Sequence, residues 1–255
     1  DSIDQDCDLA IDELANDAYD LDDDGAVLIG LCDFSFPFCG QDWSEVYVQS
    51  NGRVTFGFSS GEHTEGLPLF LSEAPEIALL WNDLNPAAGG SVEVEEISGG
   101  LVLTYTNVPE LAVIGSENSF TATLYDDGTV NIAYGALTMV DGLVGFSCDN
   151  GGANLGVDLS DYELEPNAWA IGMGSEGAIY EIFTPQTNPN DLENLTIDLC
   201  LTAGTDGDGD GWTDACGDCD DGSATTYPGA VEVCGDSADK DCDGTADNAD
   251  EDSDG

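Results

Sequence analysis

The sequence predicts an all-β protein, an antiparallel β-sandwich followed by a loop-rich C-terminal segment. Three observations carry that expectation. Short β-rich runs punctuated by turn residues recur from about residue 26 to 200. Hydrophobic residues make up 41% of the chain, enough for a core over that length. Beyond Leu201 the only large apolar side chains are Trp212, Tyr227, Val231 and Val233, so that segment cannot fold by burial alone.

Taken in order, residues 1–19 form an acidic arm with apolar side chains at Ile3, Leu9, Ile11 and Leu14 in neither helical nor strand periodicity. A short helix, or an arm lying on the main domain or on a neighbouring subunit, suits it equally. Residues 20–200 read as the sandwich. "EVYVQS", Asn51-Gly52, "RVTFGF" is a hairpin signal, because a type I′ turn needs positive φ at both central residues and Asn-Gly supplies it. "SVEVEEI", Gly99-Gly100, "LVLTYTN" and "SFTATLY", Asp126-Asp127-Gly128, "TVNIAYG" repeat the device. "LVGFS", "AWAIG", "AIYEIF" and "LTIDLC" follow as further strands. Several alternate polar and apolar residues, as a sheet with one wet face does. Residues 201–255 form the third unit.

Charge narrows the function. There are 54 acidic residues against Arg53 and Lys240, with His63 the one histidine, for a formal net charge of -52. That field rejects nucleic acid and anionic lipid, whose binding runs on lysine and arginine. No apolar run approaches the roughly eighteen residues of a membrane span. General surface acidity also suits high salt, which accounts for residues 1–200 but not for aspartates at fixed spacing. The start at Asp1 and the nine cysteines both point to an exported, oxidised, extracellular or cell-surface protein. Of the cysteines, Cys216, Cys219, Cys234 and Cys242 are expected to pair among themselves, and the odd total leaves at least one unpaired or linked to another chain. Cys216 and Cys219 have the spacing of half a zinc site, but the partner spacing is wrong and hard carboxylates surround both sulfurs.

The stretch 206–221, "DGDGDGWTDACGDCDD", holds seven aspartates and no balancing cation. Two carboxylates about 4–5 Å apart repel by roughly 3–4 kcal/mol at an effective dielectric near 20, so such a stretch is either unfolded or a cation holder. Asp206, Asp208 and Asp210 stand at positions 1, 3 and 5 of a calcium loop, with Gly211 at the sharp turn, the Trp212 carbonyl at 7 and Asp214 acting through water at 9. Position 12 wants a bidentate acid and finds Gly217, with Asp218 one residue late, which argues against a helix-flanked EF-hand. The pattern recurs with Asp239, Asp241, Asp243, Gly244, the Thr245 carbonyl, Asp247 and Asp250. It begins again at Asp250, Asp252 and Asp254, where ligands from an adjacent molecule, or from a longer natural chain, would complete it. Three starts within fifty residues make several calcium ions the expected cofactor and the tail a disulfide- and calcium-stabilised unit.

Residues 206–247, with "GDCDD", "YPGAVEVC" and "DKDCDGTAD" in order, resemble the metal-binding repeat of secreted bacterial surface proteins, similar in style to thrombospondin type 3 calcium repeats. The resemblance adds Asp218, Asp220, Asp221 and Glu232 as candidate ligands. One protein with related repeats binds copper, but one histidine and two methionines leave this chain poor in soft donors. "FSFPFCGQDWSEVYVQSNGRVTFG", "PEIALLWNDLNPAAGGSVEV" and "LYDDGTVNIAYGALT" with "DGLVGFS" are similar to the nidogen-like extracellular domain over about residues 25–150. That family implies matrix or surface association and supplies no catalytic residues.

Other features read as structure. Asp83 and Asn85 in "WNDLNP" suit a turn before Pro86 better than a loop site, and His63 among glycines and acids is a solvated loop residue without a nucleophile to serve. Asn194-Leu195-Thr196 is a glycosylation sequon whose meaning depends on the organism. No catalytic residue and no enzymatic activity is expected, since no spacing singles out an acid and a base. The function expected is an extracellular calcium-binding structural protein that assembles with copies of itself into a filament, layer or matrix. The alternative is a calcium-dependent adhesin or carbohydrate-binding module with a glycan or surface protein as partner.

Overall fold

The computed structural model describes residues 17–19, 21–73, 75–148, 153–156, 171–172 and 176–201, and in the C-terminal segment 207–208, 210, 212–228, 230–231, 233, 237–242 and 244–245. In chain order the strands are β1 (Asp17–Tyr19), β2 (Ala26–Gly30), β3 (Phe36–Phe38), β4 (Gln41–Trp43), β5 (Glu45–Gln49), β6 (Arg53–Thr55), β7 (Glu76–Trp81) and β8 (Ser91–Ile97). They continue as β9 (Gly100–Val108), β10 (Asn118–Tyr125), β11 (Thr129–Tyr134), β12 (Gly142–Ser147), β13 (Ala153–Gly156), β14 (Ile171–Gly172), β15 (Glu176–Phe183) and β16 (Thr196–Cys200). One short helix, α1 (Leu67–Phe70), precedes β7.

Two seven-stranded sheets result, ordered β1-β8-β9-β10-β11-β16-β14 and β13-β15-β12-β7-β6-β5-β2, with β3 and β4 as a separate hairpin. The body is antiparallel as expected, but β13–β15 and β14–β16 pair in parallel. Over β13 to β16 the chain alternates between the sheets, so each of these strands meets the next one of its own sheet by a crossover rather than a hairpin, as parallel neighbours require. The end of the acidic arm forms the edge strand β1 against β8; residues 1–16 lie outside the described residues.

The three expected hairpins are present, the third with the expected turn Asp126-Asp127-Gly128 and the first two with different ones. Gln49 pairs with Arg53, leaving a three-residue loop in which Gly52 alone has positive φ, at 71°. Asn51 does not take the left-handed conformation because its side chain is engaged elsewhere: its Oδ1 accepts the Leu84 N–H at 2.9 Å and its Nδ2 donates to Asp24 at 2.9 Å. A Cβ at position 52 would lie 2.3 Å from the Leu80 carbonyl oxygen, so only glycine fits. The second turn is Ser98-Gly99 rather than Gly99-Gly100, since Ile97 pairs with Gly100.

The first sheet shows the wet-face alternation predicted for it, most cleanly in β10 and β11. Its inward residues, among them Val94, Leu103, Phe120, Leu124, Ile132 and Leu199, meet Val46, Val48, Val54, Ile77, Leu79 and Phe146 of the second sheet. Two tyrosines reach across this core. Tyr105 Oη donates to the Gln49 carbonyl at 2.5 Å and Tyr134 Oη to the Leu79 carbonyl at 2.7 Å. Burial pushes both phenols well above their ordinary range. Tyr134→Phe removes the donor that reaches the Leu79 carbonyl in the dry core. It is therefore expected to cost about 1–3 kcal/mol in urea unfolding, more than the hydroxyl's contact area alone would give.

The second sheet is covered on both faces, which is why β7 and β12 are buried at every position. Its outer face carries the strap 57–73, whose α1 seats Phe70 against Ala78, Trp81, Leu143 and Ala178. Beneath the strap Arg53 is fully buried, with Nε donating to Glu76 Oε2 at 2.8 Å, a second guanidinium nitrogen bonded to the same oxygen, and the guanidinium 4.0 Å from the centroid of the Trp81 ring. Arg53 also donates to Ser60 Oγ at 3.3 Å and approaches Glu73 at 3.6 Å, tying the strap to the sheet.

Candidate metal centre

The chain leaves the sandwich at β16, and a disulfide immediately returns it there: Cys200, the last residue of β16, is bonded to Cys216. Cys219 is bonded to Cys242 and, in the sandwich, Cys39 to Cys148; Cys32 is disulfide-bonded as well. The four tail cysteines therefore do not pair only among themselves. With so few apolar residues, the tail is held by a covalent tie to the sandwich as well as one within itself. Cys216 and Cys219, both oxidised, are not available as zinc ligands.

Between these ties the tail makes a compact turn. The fully buried Thr213 accepts through its carbonyl the N–H groups of Cys216 and Asp218, at 2.9 and 3.0 Å. A 3₁₀ turn over Asp214–Cys216 ends at Gly217 in the left-handed region, φ 92°. Trp212, itself buried, stacks on Tyr227 with ring centroids 6.4 Å apart, and the Tyr227 N–H donates to the Lys240 carbonyl at 2.8 Å. The first aspartate loop is thus packed against the beginning of the second.

This turn brings Asp218 to Asp208 and Asp210. One carboxylate oxygen of each lies within 4.8 Å of the other two. Each Oδ1 accepts a backbone N–H two residues on, from Asp210 at 3.2 Å, from Trp212 at 2.9 Å and from Asp220 at 2.8 Å respectively. These bonds fix the carboxylate planes, and the Oδ2 atoms of Asp208 and Asp218 are buried with no hydrogen-bond partner. Asp218 is only 6% exposed. Burial first, and then the charges of Asp208, Asp221 and Asp220, raise its carboxyl above the ordinary range, against the pull of the Asp220 N–H. Buried carboxylate oxygens that face one another without donors are costly unless a cation or a proton joins them.

In the spacing of a calcium loop Asp218 stands one residue late for position 12. The extra residue is absorbed by the 3₁₀ turn and Gly217, and disulfides at Cys216 and Cys219 hold Asp218 from both sides. Of the other candidates, Trp212 adjoins the site, Asp214 is exposed at the start of the 3₁₀ turn, and Asp220 is exposed beside it. Asp221 Oδ1 accepts the Gly207 N–H at 2.8 Å, next to Asp208, and its charge is one of those that raise Asp218. In the second loop Asp239 Oδ2 accepts the Gly244 N–H at 3.0 Å, its Oδ1 is buried without a partner, Asp241 is half-buried and Thr245 is exposed. Asp206, Glu232, Asp243, Asp247, Asp250, Asp252 and Asp254 lie outside the described residues.

A second acidic group stands on the sandwich. Asp23, Asp24 and Asp83 offer carboxylate oxygens within 4.8 Å of one another, and His63 Nδ1 lies 3.6 Å from Asp24. Burial, then the Asp24 charge, raises Asp23, and burial, with the charges of Asp23 and Asp24, raises Asp83 although His63 opposes it. Asn85 behaves as the turn reading expects, its Oδ1 accepting the Ala88 N–H at 3.1 Å to cap a 3₁₀ turn that starts at Pro86. His63 is an exposed loop residue, with half of its side chain accessible.

Comparison with known families agrees with this architecture. The family model described as NIDO related matches residues 13–163, more than half of the chain, and the chain belongs to that family. A second model, Cu-binding MopE, described as "Putative metal-binding motif", matches residues 1–13 and 218–248. No curated protein and no solved structure matches the chain. The molecule is thus a NIDO-related β-sandwich joined to a metal-binding motif.

Proposed function

We propose that this is an extracellular, non-catalytic calcium-binding structural protein that assembles with its own copies into a filament, surface layer or matrix. The observation that carries the metal reading is the pair of buried Oδ2 atoms, on Asp208 and Asp218, that have no hydrogen-bond donor and share a cluster with Asp210. The donor set is all oxygen, as hard divalent cations prefer, and both nearby cysteine pairs are oxidised. Carboxylates from 208 and 210 with one from 218 leave room for backbone carbonyls and waters, which suits the six to eight ligands and the loose geometry of calcium better than magnesium.

The mechanism is electrostatic. Without the ion, mutual repulsion loosens the tail; with it, the repulsion is cancelled and the segment becomes a rigid extension of β16 through Cys200–Cys216. A net charge of -52 keeps copies apart until divalent ions lower it, so calcium controls both the shape of the tail and the approach of subunits. Negative-stain microscopy in millimolar calcium is expected to show ordered polymers that disappear on adding chelator. Monomers in both conditions, with calcium uptake still measurable by calorimetry, would leave the metal site standing and overturn the assembly. Affinity of such monomers for a glycan would favour the adhesin instead.

A further inference from the structure

We infer that Asn194 is an N-glycosylation site. Among all the asparagines of the chain it alone begins an N-x-S/T triplet, Asn194-Leu195-Thr196. It is exposed, with φ 65°, in a turn closed by the Leu195 N–H donating to the Leu192 carbonyl at 3.0 Å, and Thr196 then opens β16 opposite Ala133. Asparagine is favoured at such a φ for conformational reasons alone, and Asn107 occupies one at φ 50°. The two differ in their side chains. Asn51, Asn82, Asn85, Asn107, Asn118 and Asn131 all commit their carboxamides to hydrogen bonds within the fold. That of Asn194 makes none among the described residues and the residue is exposed, so its carboxamide can enter the site of a transferase that activates Nδ2.

The co-reactant is a sugar activated through its anomeric carbon on a lipid phosphate carrier, delivered by a membrane-bound transferase that meets exported chains. Asn194 Nδ2 attacks that carbon, the N–C bond forms, the C–O bond to the phosphate breaks, the carrier leaves as its phosphate, and one Nδ2 proton passes to a base of the transferase. The site stands at the start of β16, whereas the tie to the tail is at its end, Cys200. Five residues of extended strand, roughly 3.3 Å each, separate them, so a glycan here leaves the aspartate cluster clear. The inference needs export alone; neither calcium binding nor assembly enters it.

The test uses the full chain secreted by the organism that makes it. A protease cutting before aspartate releases residues 191–197, because Asp191 and Asp198 bound that peptide. Mass spectrometry is expected to find the peptide carrying sugar, and amidase release of the glycan to leave aspartate at 194. Asn194→Gln and Thr196→Val should lose the sugar, and Thr196→Ser should keep it. A wild-type peptide found only at its bare mass overturns the inference. So does sugar retained in Asn194→Gln, which would place it on the Thr196 hydroxyl.

Discussion

Arg53→Met is expected to destabilise the sandwich by about 3–5 kcal/mol at neutral pH, the cost of leaving one member of a buried ion pair without the other. Arg53 and Glu76 are both fully buried under the strap, and the guanidinium bonds Glu76 twice while lying over Trp81. Burial pushes the Glu76 carboxyl up to about 7, even though Arg53 pulls it down. Its folded pKa therefore lies above the unfolded value of 4.5, and the folded chain holds the proton more tightly across that window. Stability contributed by this group is present below the window and is lost as pH rises through it. Without the guanidinium the folded pKa climbs further, so the deficit of Arg53→Met should shrink on acidification, when Glu76 can be neutral, and widen above pH 7. Urea unfolding of variant and wild type at pH 5 and pH 8 measures this. Adding Glu76→Leu to Arg53→Met should restore most of the loss, because two apolar side chains leave no uncompensated charge. A loss below 1 kcal/mol, or one independent of pH, contradicts the account.

The same residue shows how far the sequence could be read. An arginine in a chain with two basic residues invites a surface role, yet "RVTFGF" places it in a strand whose outer face is covered by a strap that turn chemistry does not announce. The hairpins were legible because Gly52, Gly99 and Gly128 each close one, with φ between 71 and 88°. The turn class at Gly52 was not, since Asn51 is held by a bond to Leu84, thirty-three residues on. In the tail, the alternate aspartates announced a cation loop, but the carboxylate that completes the cluster depends on Cys200 and Cys242, sixteen and twenty-three residues from their partners. Asp23, Asp24 and Asp83 were illegible as a group for the same reason. The Asn51 bonds to Asp24 and to the Leu84 N–H, together with the bridge of Leu84 to Glu110, bring them to one end of the sandwich.

The aspartate cluster makes the other large prediction, because one substitution should act in opposite directions on its two states. In Asp208→Asn/Asp218→Asn two of the three facing charges are removed while both Oδ1 acceptors are retained for the backbone N–H groups of Asp210 and Asp220. Each carboxylate pair lost relieves roughly 3–4 kcal/mol of gross repulsion at an effective dielectric near 20, less whatever salt screens at the partly exposed Asp208 and Asp210. The calcium-free tail should become more ordered than wild type, seen as slower amide exchange over residues 207–221. Calcium affinity should fall at least a hundredfold, about 3 kcal/mol, by calorimetry on the full chain. Asp218 must release its proton to bind a cation, and its carboxyl is raised by burial and its acidic neighbours. Wild-type affinity should therefore decline as pH falls through the raised pKa, earlier than an exposed aspartate would allow. If the double variant bound calcium as tightly as wild type, the cluster would not be the site. If its calcium-free tail were looser than wild type, repulsion among these carboxylates would not be what loosens the ion-free segment.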